Sequence, residues 1–317
     1  MNRFTIFVFA LVALLLGACS KEETQTSFEE SQSPKEYTIS LGMTGEIEMT
    51  TSPLSRADES TDLYGVQVYS KADVDGSSYS VCAYGLFDDP SAMSIKLLDG
   101  YLYKFVVTMV VDGKNLIYSY LSSYSAPFTI GSITRTSADN TFVWDGTNYF
   151  YWIGKGYSSL TTGGYYRPFV DRYYGVATDY KPSEDGSVSI EMKRTVFGVK
   201  YVAEDLTEGK LLINMAEAPL VTLTPDLTEQ EEIVTFNSVI SAWETDNYSE
   251  DISVMISWVK DDGVTVLLAD EPLAFTRLQQ HTITIKVADS SLDAGVSVSQ
   301  ESGDITAGAS TTIDGGN

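Results

Sequence analysis

Seven Asp-Gly pairs are distributed along the 317 residues of this chain, at 75–76, 99–100, 112–113, 145–146, 185–186, 262–263 and 314–315. Several are flanked by runs rich in β-branched and aromatic residues, such as 105–111 before Asp112-Gly113 and 116–118 after it. Asp-Gly favours the tight turns of β-hairpins because both residues tolerate positive φ. The spacing predicts a chain built from many short antiparallel strands.

Further strand-like runs follow throughout the chain, and helix-forming stretches rich in Ala, Leu and Lys are missing from its body. The strands are expected at 63–69, 93–98, 188–192, 196–202, 211–215, 220–223, 252–259, 264–268 and 282–287. Short strands joined by regular turns are typical of β-sandwiches rather than of βαβ sheets. A break in the strand pattern at Lys181-Pro-Ser-Glu-Asp-Gly186 predicts a domain boundary. The predicted parts of the chain are an N-terminal domain, 36–183, a C-terminal domain, 184–290, and a polar tail, 291–317.

The charge of the chain is strongly negative, with 20 Lys and Arg against 44 Asp and Glu and a net charge of -24. Such a chain repels the phosphates of nucleic acids and anionic lipids. We therefore expect no nucleic-acid partner, and the acidity is explained equally well by solubility on an exposed surface.

The N-terminus has the layout of a signal peptide. Arg3 precedes an apolar run at 4–16, which is shorter than the ~20 residues that a spanning helix needs. The following Leu16-Gly17-Ala18-Cys19 resembles a bacterial lipobox, in which the cysteine is acylated and becomes the new N-terminus. This predicts a signal peptide at 1–18 and lipidation, including palmitate, at Cys19; an ordinary signal peptide cleaved nearby is the alternative.

The residues after Cys19 indicate export to the cell surface. Ser20-Lys21-Glu22-Glu23 resembles the surface-export signal of Bacteroides-type lipoproteins, which predicts the outer membrane as the location. Residues 19–35 are polar and without periodicity, so they are expected to form a flexible tether. After removal of 1–18 only Cys19 and Cys82 are left, so a disulfide framework is excluded.

Apolar and polar residues alternate from 37 to 49, with Gly45 as the one gap on the apolar face. A strand of this length would span roughly 43 Å. Burying six large apolar side chains contributes about 12 kcal/mol to the free energy of folding, before the loss of conformational entropy is subtracted. Removing the strand would therefore leave an open hydrophobic groove. The apolar residues are Tyr37, Ile39, Leu41, Met43, Ile47 and Met49.

The segment after this strand, 50–61, is polar and contains a single basic residue, Arg56, before Ala57. Two interpretations are open. The strand is an ordinary edge strand followed by a surface loop with an incidental arginine, or Arg56 is a protease site at which the strand is cut away.

In its order of motifs the chain resembles the fimbrillin family, the type V pilus subunits and associated adhesins of Bacteroides-type bacteria. The resemblance covers most of the mature chain. It rests on the lipobox, on the first strand followed by Ser55-Arg56-Ala57, on a second strand at 63–69, and on Lys193-Arg194-Thr195-Val196-Phe197-Gly198-Val199-Lys200, which is similar to the start of that family's C-terminal domain.

The resemblance implies an all-β fold with two transthyretin-like β-sandwich domains in tandem. It also implies a lipoprotein precursor that a trypsin-like protease cuts between Arg56 and Ala57, removing the first strand, 37–50. A strand from a neighbouring subunit of the fimbrium then fills the groove, so the implied partners are other pilus subunits.

The C-terminal residues depart from the family's pattern, since a donor strand should alternate as regularly as the strand that it replaces. Only Ala294, Val296 and Val298 alternate clearly, and the remainder is polar and rich in Gly. A tip or accessory adhesin that accepts a strand without donating one is therefore left open beside a stalk subunit.

Residues 147–175 are unusually rich in aromatic side chains. Aromatic platforms suit the binding of a glycan or protein on a host or bacterial surface, and they suit equally an ordinary core or an inter-domain contact. The candidates for a ligand surface are Tyr151, Trp152, Tyr165, Tyr166, Tyr173 and Tyr174.

Enzyme chemistry finds little support. The only histidine is His281, in a strand-like run, so a His-rich metal site is excluded and any triad would depend on that residue. We expect no catalysis and no cofactor. The alternative function is a permanently anchored glycan-binding lipoprotein of a polysaccharide-uptake system.

Overall fold

The structure, a computed structural model, describes residues 34–46, 61–161, 163–184 and 186–287, and the backbone of 298–304. The prediction of an all-β chain is confirmed, because the described helices are only α1 (Gly113–Leu116), α2 (Val239–Glu244) and one 3-10 turn (Pro90–Ala92). Cys19, Ile47, Met49, Arg56 and Ala57 lie outside the described residues.

An eight-stranded sheet dominates the N-terminal half. In spatial order its strands are β4 (Ser94–Leu98), β1 (Glu36–Gly45), β13 (Ser187–Arg194), β12 (Arg172–Tyr180), β5 (Tyr101–Val110), β2 (Leu63–Ala72), β3 (Ser80–Phe87) and β9 (Phe142–Trp144). All of its pairs are antiparallel except β1 with β13, which run parallel.

Two cores lie on the two faces of this sheet, and β5 contributes alternate residues to both. Phe105 and Val107 face the first core, whereas Val106 and Val110 face the second. The buried members of the first core all come from the eight-stranded sheet or from Met93 beside β4. No other sheet in the described part of the chain contributes to this core, so the eight-stranded sheet must curve around it.

The second core is covered by additional strands and by α2. A three-stranded sheet contributes Tyr124, Phe128 and Ile130, and α2 contributes Val239. The additional strands are β6 (Ser119–Tyr120), β7 (Ser123–Ile130) and β8 (Thr134–Ser137) in one sheet, and β10 (Ser158–Leu160) and β11 (Gly163–Tyr165) in a separate hairpin.

The C-terminal half is a sandwich of two four-stranded sheets with a continuous apolar core between them. One sheet has the order β17 (Glu229–Thr235), β14 (Val196–Glu204), β20 (Gln279–Lys286) and β21 (Val298–Asp304). The other has the order β16 (Val221–Leu223), β15 (Lys210–Met215), β18 (Ser249–Val259) and β19 (Thr265–Thr276).

The strand pairing places the boundary between the two halves later in the chain than the sequence predicts. Residues 184–290 were expected in the C-terminal domain, yet β13 (Ser187–Arg194) is hydrogen-bonded to β1 and β12. The break at 181–186 is the hairpin between β12 and β13, so we place the boundary near Thr195. That each half folds as a separate domain stays a prediction.

The polar tail predicted at 291–317 contains β21, which pairs antiparallel with β20 at the edge of its sheet. Part of the tail therefore adds a strand to its own chain.

Candidate functional site

Strand β1, the strand predicted to be removable, lies inside the eight-stranded sheet and not at its edge. The edges of this sheet are β4 and β9. The first half of β1 pairs antiparallel with β4, from Glu36 opposite Leu98 to Ser40 opposite Ser94. The second half pairs parallel with β13, from Ser40 opposite Ser187 to Gly45 opposite Met192. The interpretation of β1 as an edge strand is therefore wrong.

The apolar face of β1 closes the first core. Ile39, Leu41 and Met43 are 0%, 7% and 5% exposed, as the alternation predicts, and Tyr37 packs against the same core at partial burial. Each of these three buried side chains stabilises the fold by about 2 kcal/mol, before the loss of conformational entropy is subtracted. Taking β1 away would expose to water the part of this core that these side chains cover.

The described strand ends earlier than the sequence pattern predicts. Gly45 has a φ of 94°, in the left-handed region, and it ends the strand. The next residue, Glu46, donates its backbone N–H to the carbonyl oxygen of Met192 at 2.9 Å. Gly45 is thus the end of β1 and not a gap within a longer described strand.

The Glu46 carboxylate reaches the C-terminal half. Both of its oxygens accept hydrogen bonds from Nη1 of Arg277, at 3.1 and 2.9 Å, and one also accepts the backbone N–H of Arg194 at 2.7 Å. Arg277 lies in the tight turn between β19 and β20 and is 5% exposed. The end of β1 is therefore tied by an ion pair to the C-terminal sandwich.

The aromatic segment forms a chain of ring contacts on the surface. Trp152 is in the middle, 4.4 Å from Tyr157, 4.7 Å from Tyr151 and 6.1 Å from Tyr166 between ring centroids. The Nζ of Lys155 lies 3.7 Å from the centroid of the Tyr151 ring. The Trp152 ring makes interplanar angles of 38° with Tyr157, 89° with Tyr151 and 74° with Tyr166, so these rings do not form a flat platform.

The buried guanidinium of Arg172 holds the loop that carries these rings. It donates to the backbone carbonyl oxygens of Trp152, Ile153 and Lys155 and to Oγ1 of Thr108, over 2.6 to 3.0 Å. Burial lowers the pKa of Arg172 to about 9, which still leaves it charged at neutral pH. Sequence reasoning missed this residue; an arginine amid aromatic residues was the available signal.

The six predicted surface residues do not all lie together: Tyr151, Trp152 and Tyr166 are in ring contact, and others are not exposed. Tyr151 and Tyr166 are exposed, and Trp152 and Tyr165 are half-buried. Tyr174 is 4% exposed and stacks edge-on against Trp243, and burial raises its pKa. Tyr173 packs against the first core on the other face of β12. Tyr173 and Tyr174 therefore belong to the interior and leave the proposed surface.

His281 is a core residue of β20. It is 3% exposed, its ring lies 5.1 Å from that of Phe275, and its Nε2 accepts the backbone N–H of Thr276 at 3.0 Å. Burial lowers the pKa of His281. Within the described residues, no group of three or more His, Cys, Asp or Glu side chains is placed to hold a metal ion.

None of the helices in the described part of the chain is long and apolar enough to cross a membrane.

Comparison with known proteins finds similarity only among solved structures. No protein-family model and no curated protein matches the chain. The tip fimbrial protein Mfa3 of Porphyromonas gingivalis, truncated at its C-terminus, is 9% identical over 86% of this chain and 100% of its own length, with a TM-score of 0.34. A fimbrial assembly protein of Parabacteroides distasonis is 13% identical over 82% of this chain and 94% of its own, with a TM-score of 0.32.

These solved structures come from the kind of proteins that the order of motifs in the sequence resembles. With TM-scores this far below 0.5, the similarity says nothing about what this chain binds or assembles with.

Proposed function

We propose that this chain is the surface-exported lipoprotein precursor of a pilus subunit, either a structural subunit or a tip or accessory adhesin. In this proposal, cleavage between Arg56 and Ala57 releases β1, and a strand from a neighbouring subunit takes its place in the sheet. The protein acts by assembly and not by catalysis, and it uses no cofactor.

The observation that supports this proposal most directly is the position of β1. An internal strand has hydrogen-bonding neighbours on both sides, here β4 and β13. Its removal leaves backbone groups of both neighbours unpaired beside an uncovered apolar core. Unpaired strand edges and exposed apolar surface are what an added strand satisfies, with main-chain bonds giving affinity and side-chain pockets giving register.

The connection after β1 can be cut without disturbing the sheet around the next strand. β1 and β2 are consecutive in the described chain, but β13, β12 and β5 lie between them in the sheet. β2 takes its hydrogen bonds from β5 and β3 and none from β1. The six strands from β13 to β9 therefore keep their pairing with one another when β1 leaves, whereas β4, which pairs only with β1 among the described strands, loses its partner.

The predicted signal peptide and lipobox determine where the precursor is located. In the proposal, an acylated Cys19 anchors the chain in the outer membrane with the folded part outside, until cleavage at Arg56 frees it for the fimbrium. Attached acyl chains hold a protein at a membrane by about 0.8 kcal/mol per buried CH2 group.

A glycan-binding lipoprotein is the competing function, and it needs exposed, coplanar aromatic rings. Tyr151 and Tyr166 are exposed, but the Trp152 ring between them stands at 89° and 74° to theirs. The geometry therefore favours assembly over sugar stacking.

The test is a pair of variants in the segment after β1. Arg56→Ala should abolish the heat-sensitive high-mass assemblies that contain this chain in unboiled surface extracts, because β1 can no longer be released. Asp58→Ala changes the same segment but keeps the arginine, so its assemblies should persist. Assemblies that are equally abundant in both variants would overturn the proposal.

A further inference from the structure

The end of β1 carries two features that a replacement strand must reproduce. We infer that the groove selects its incoming strand through Arg277 and the Met192 carbonyl, and that it takes a segment with apolar residues at alternate positions followed by Gly and then Asp or Glu. This inference rests on the proposed strand replacement and specifies the partner.

The first feature is a buried cation. The side chain of Arg277 is 3% exposed, whereas that of its partner Glu46 is 32% exposed. Among the described residues, only Glu46 places a carboxylate within ion-pair distance of Arg277. The other acceptors of Arg277 are neutral, the backbone carbonyl oxygens of Asp246 and Arg194, at 3.0 and 2.8 Å.

Neighbouring charges do not replace this carboxylate. Arg194 is already matched by Asp171 through two hydrogen bonds of 2.8 Å, and Lys193 is paired with Asp246. If Glu46 leaves with β1, the buried guanidinium of Arg277 has no carboxylate of the described residues within ion-pair distance. The pKa of the Asp246 carboxyl is lowered by Lys193 and, to a smaller extent, by Arg277, but Asp246 is paired with Lys193. A buried charge stripped of its partner is strongly unfavourable, so an incoming strand with a carboxylate at this point gains a charge-assisted contact.

The second feature is the backbone at Gly45. Its φ of 94° is one that L side chains rarely adopt, and a Cβ at this position would lie 2.6 Å from the Met192 carbonyl oxygen. Because the obstacle is backbone and not a flexible side chain, it cannot move aside cheaply. Glycine at this point lets the strand turn and place the following carboxylate against Arg277.

The two features fix a register relative to the apolar positions. Ile39, Leu41 and Met43 fill the core, Gly45 continues the same alternation, and Glu46 follows at once. The required pattern is thus three apolar residues at alternate positions, then glycine two residues after the last of them, then an acid.

Residues 288–317 of this chain do not contain that pattern. Their one glycine followed by an acid is Gly303-Asp304, and the residues two, four and six positions earlier are Glu301, Ser299 and Ser297, all polar. We therefore assign the groove to a strand of a different subunit rather than to this tail of a second copy.

The test uses the chain from residue 20 onward, which still contains β1, and measures which strands enter its groove. A specific protease site is placed in segment 50–60, the chain is cut there, and a fluorescent peptide of residues 36–46 is exchanged into it. Unlabelled peptides then compete. They are the unchanged sequence, Glu46→Gln, Gly45→Ala, the control Glu36→Gln, and residues 296–304 of the tail. Glu36→Gln removes the same charge from an exposed ion pair with Lys96.

We expect Glu46→Gln to compete about 10- to 30-fold more weakly than the unchanged peptide and Gly45→Ala at least about tenfold more weakly. Glu36→Gln should stay within about twofold of the unchanged peptide, and the tail peptide should not compete. In the chain variant Arg277→Gln, the peptides with Glu and with Gln at 46 should compete equally. The peptide series uses the unaltered groove, so it decides the question even if Arg277→Gln fails to fold.

Equal competition by Glu46→Gln and Glu36→Gln would overturn the role of Arg277. Strong competition by the tail peptide would overturn the assignment to a different subunit. Failure of the unchanged peptide to enter would overturn strand replacement itself, and this inference with it.

Discussion

Met43 of β1 lies opposite Ile190 of β13 in the parallel pair of the eight-stranded sheet, and both side chains are buried in the first core. One residue belongs to the strand proposed to leave and the other to the strand that would line the emptied groove. Their pairing and their burial in one core tie the stability of the N-terminal half to the presence of β1.

Ile39→Ala should destabilise the intact chain by about 2–4 kcal/mol, because Ile39 is fully buried and its truncation leaves a cavity. Thr38→Ala changes the exposed neighbour on the same strand and should cost less than about 1 kcal/mol. Hydrogen exchange of β1, β4 and β13 amides measures both effects locally. Equal protection in the two variants would contradict the burial of β1 as a source of stability.

The thiol of Cys82 should report whether the groove is filled. Cys82 packs partly buried against the first core, and burial raises its pKa to about 11. In the intact chain at pH 7.5 its reaction with a thiol reagent should therefore be slow, since the thiolate is the reactive form. After cleavage and removal of β1 the rate should rise by about tenfold or more, and a bound strand peptide should suppress it again.

Ser80→Cys in a Cys82→Ser background is the control, because Ser80 is exposed on the same strand. Its labelling rate should be fast with or without β1. A Cys82 rate that does not change when β1 leaves would show that the core stays closed without this strand.

Arg172→Ala should disorder the aromatic loop and destabilise the chain by about 3–5 kcal/mol, because three backbone carbonyl oxygens lose their donor. The near-UV circular dichroism and the tryptophan emission of Trp152 should both shift. Arg135→Ala, which removes an exposed guanidinium stacked on Tyr118, should leave these spectra unchanged. A normal near-UV spectrum for Arg172→Ala would contradict the role given to Arg172.

The C-terminal sandwich should lose stability as the pH falls below about 6.5. Burial lowers the pKa of His281 in the folded chain, so the unfolded chain binds more protons in this range and is favoured by acid. His281→Asn should flatten the pH dependence of unfolding between pH 7 and pH 5, although it lowers stability at pH 7. An unchanged pH dependence would show that His281 does not titrate on unfolding.

Local pattern predicted much of the fold. Asp75-Gly76 and Asp262-Gly263 join paired strands, β2 with β3 and β18 with β19, as hairpin chemistry predicts. Asp99-Gly100 instead connects β4 to β5, which are not paired in the sheet. At Asp112, φ is 52° as expected for a turn, but the chain continues into α1 and not into a paired strand.

The chain segments after Asp99-Gly100 and Asp112-Gly113 differ from the prediction because strand pairing depends on long-range contacts. Turn residues determine how the backbone reverses, whereas the partner of the following strand depends on contacts that are distant in sequence. The same limit applies to the site. The alternation at Ile39, Leu41 and Met43 is visible in the sequence, but the contact of Glu46 with Arg277 joins residues 231 positions apart and has no local signature.

The most direct test of the central claim is the N-terminus and intact mass of this protein recovered from the cell surface. The account predicts a chain that begins at Ala57, without the acyl group and without β1. A surface-assembled chain that begins at acylated Cys19 and retains residues 36–46 would contradict it.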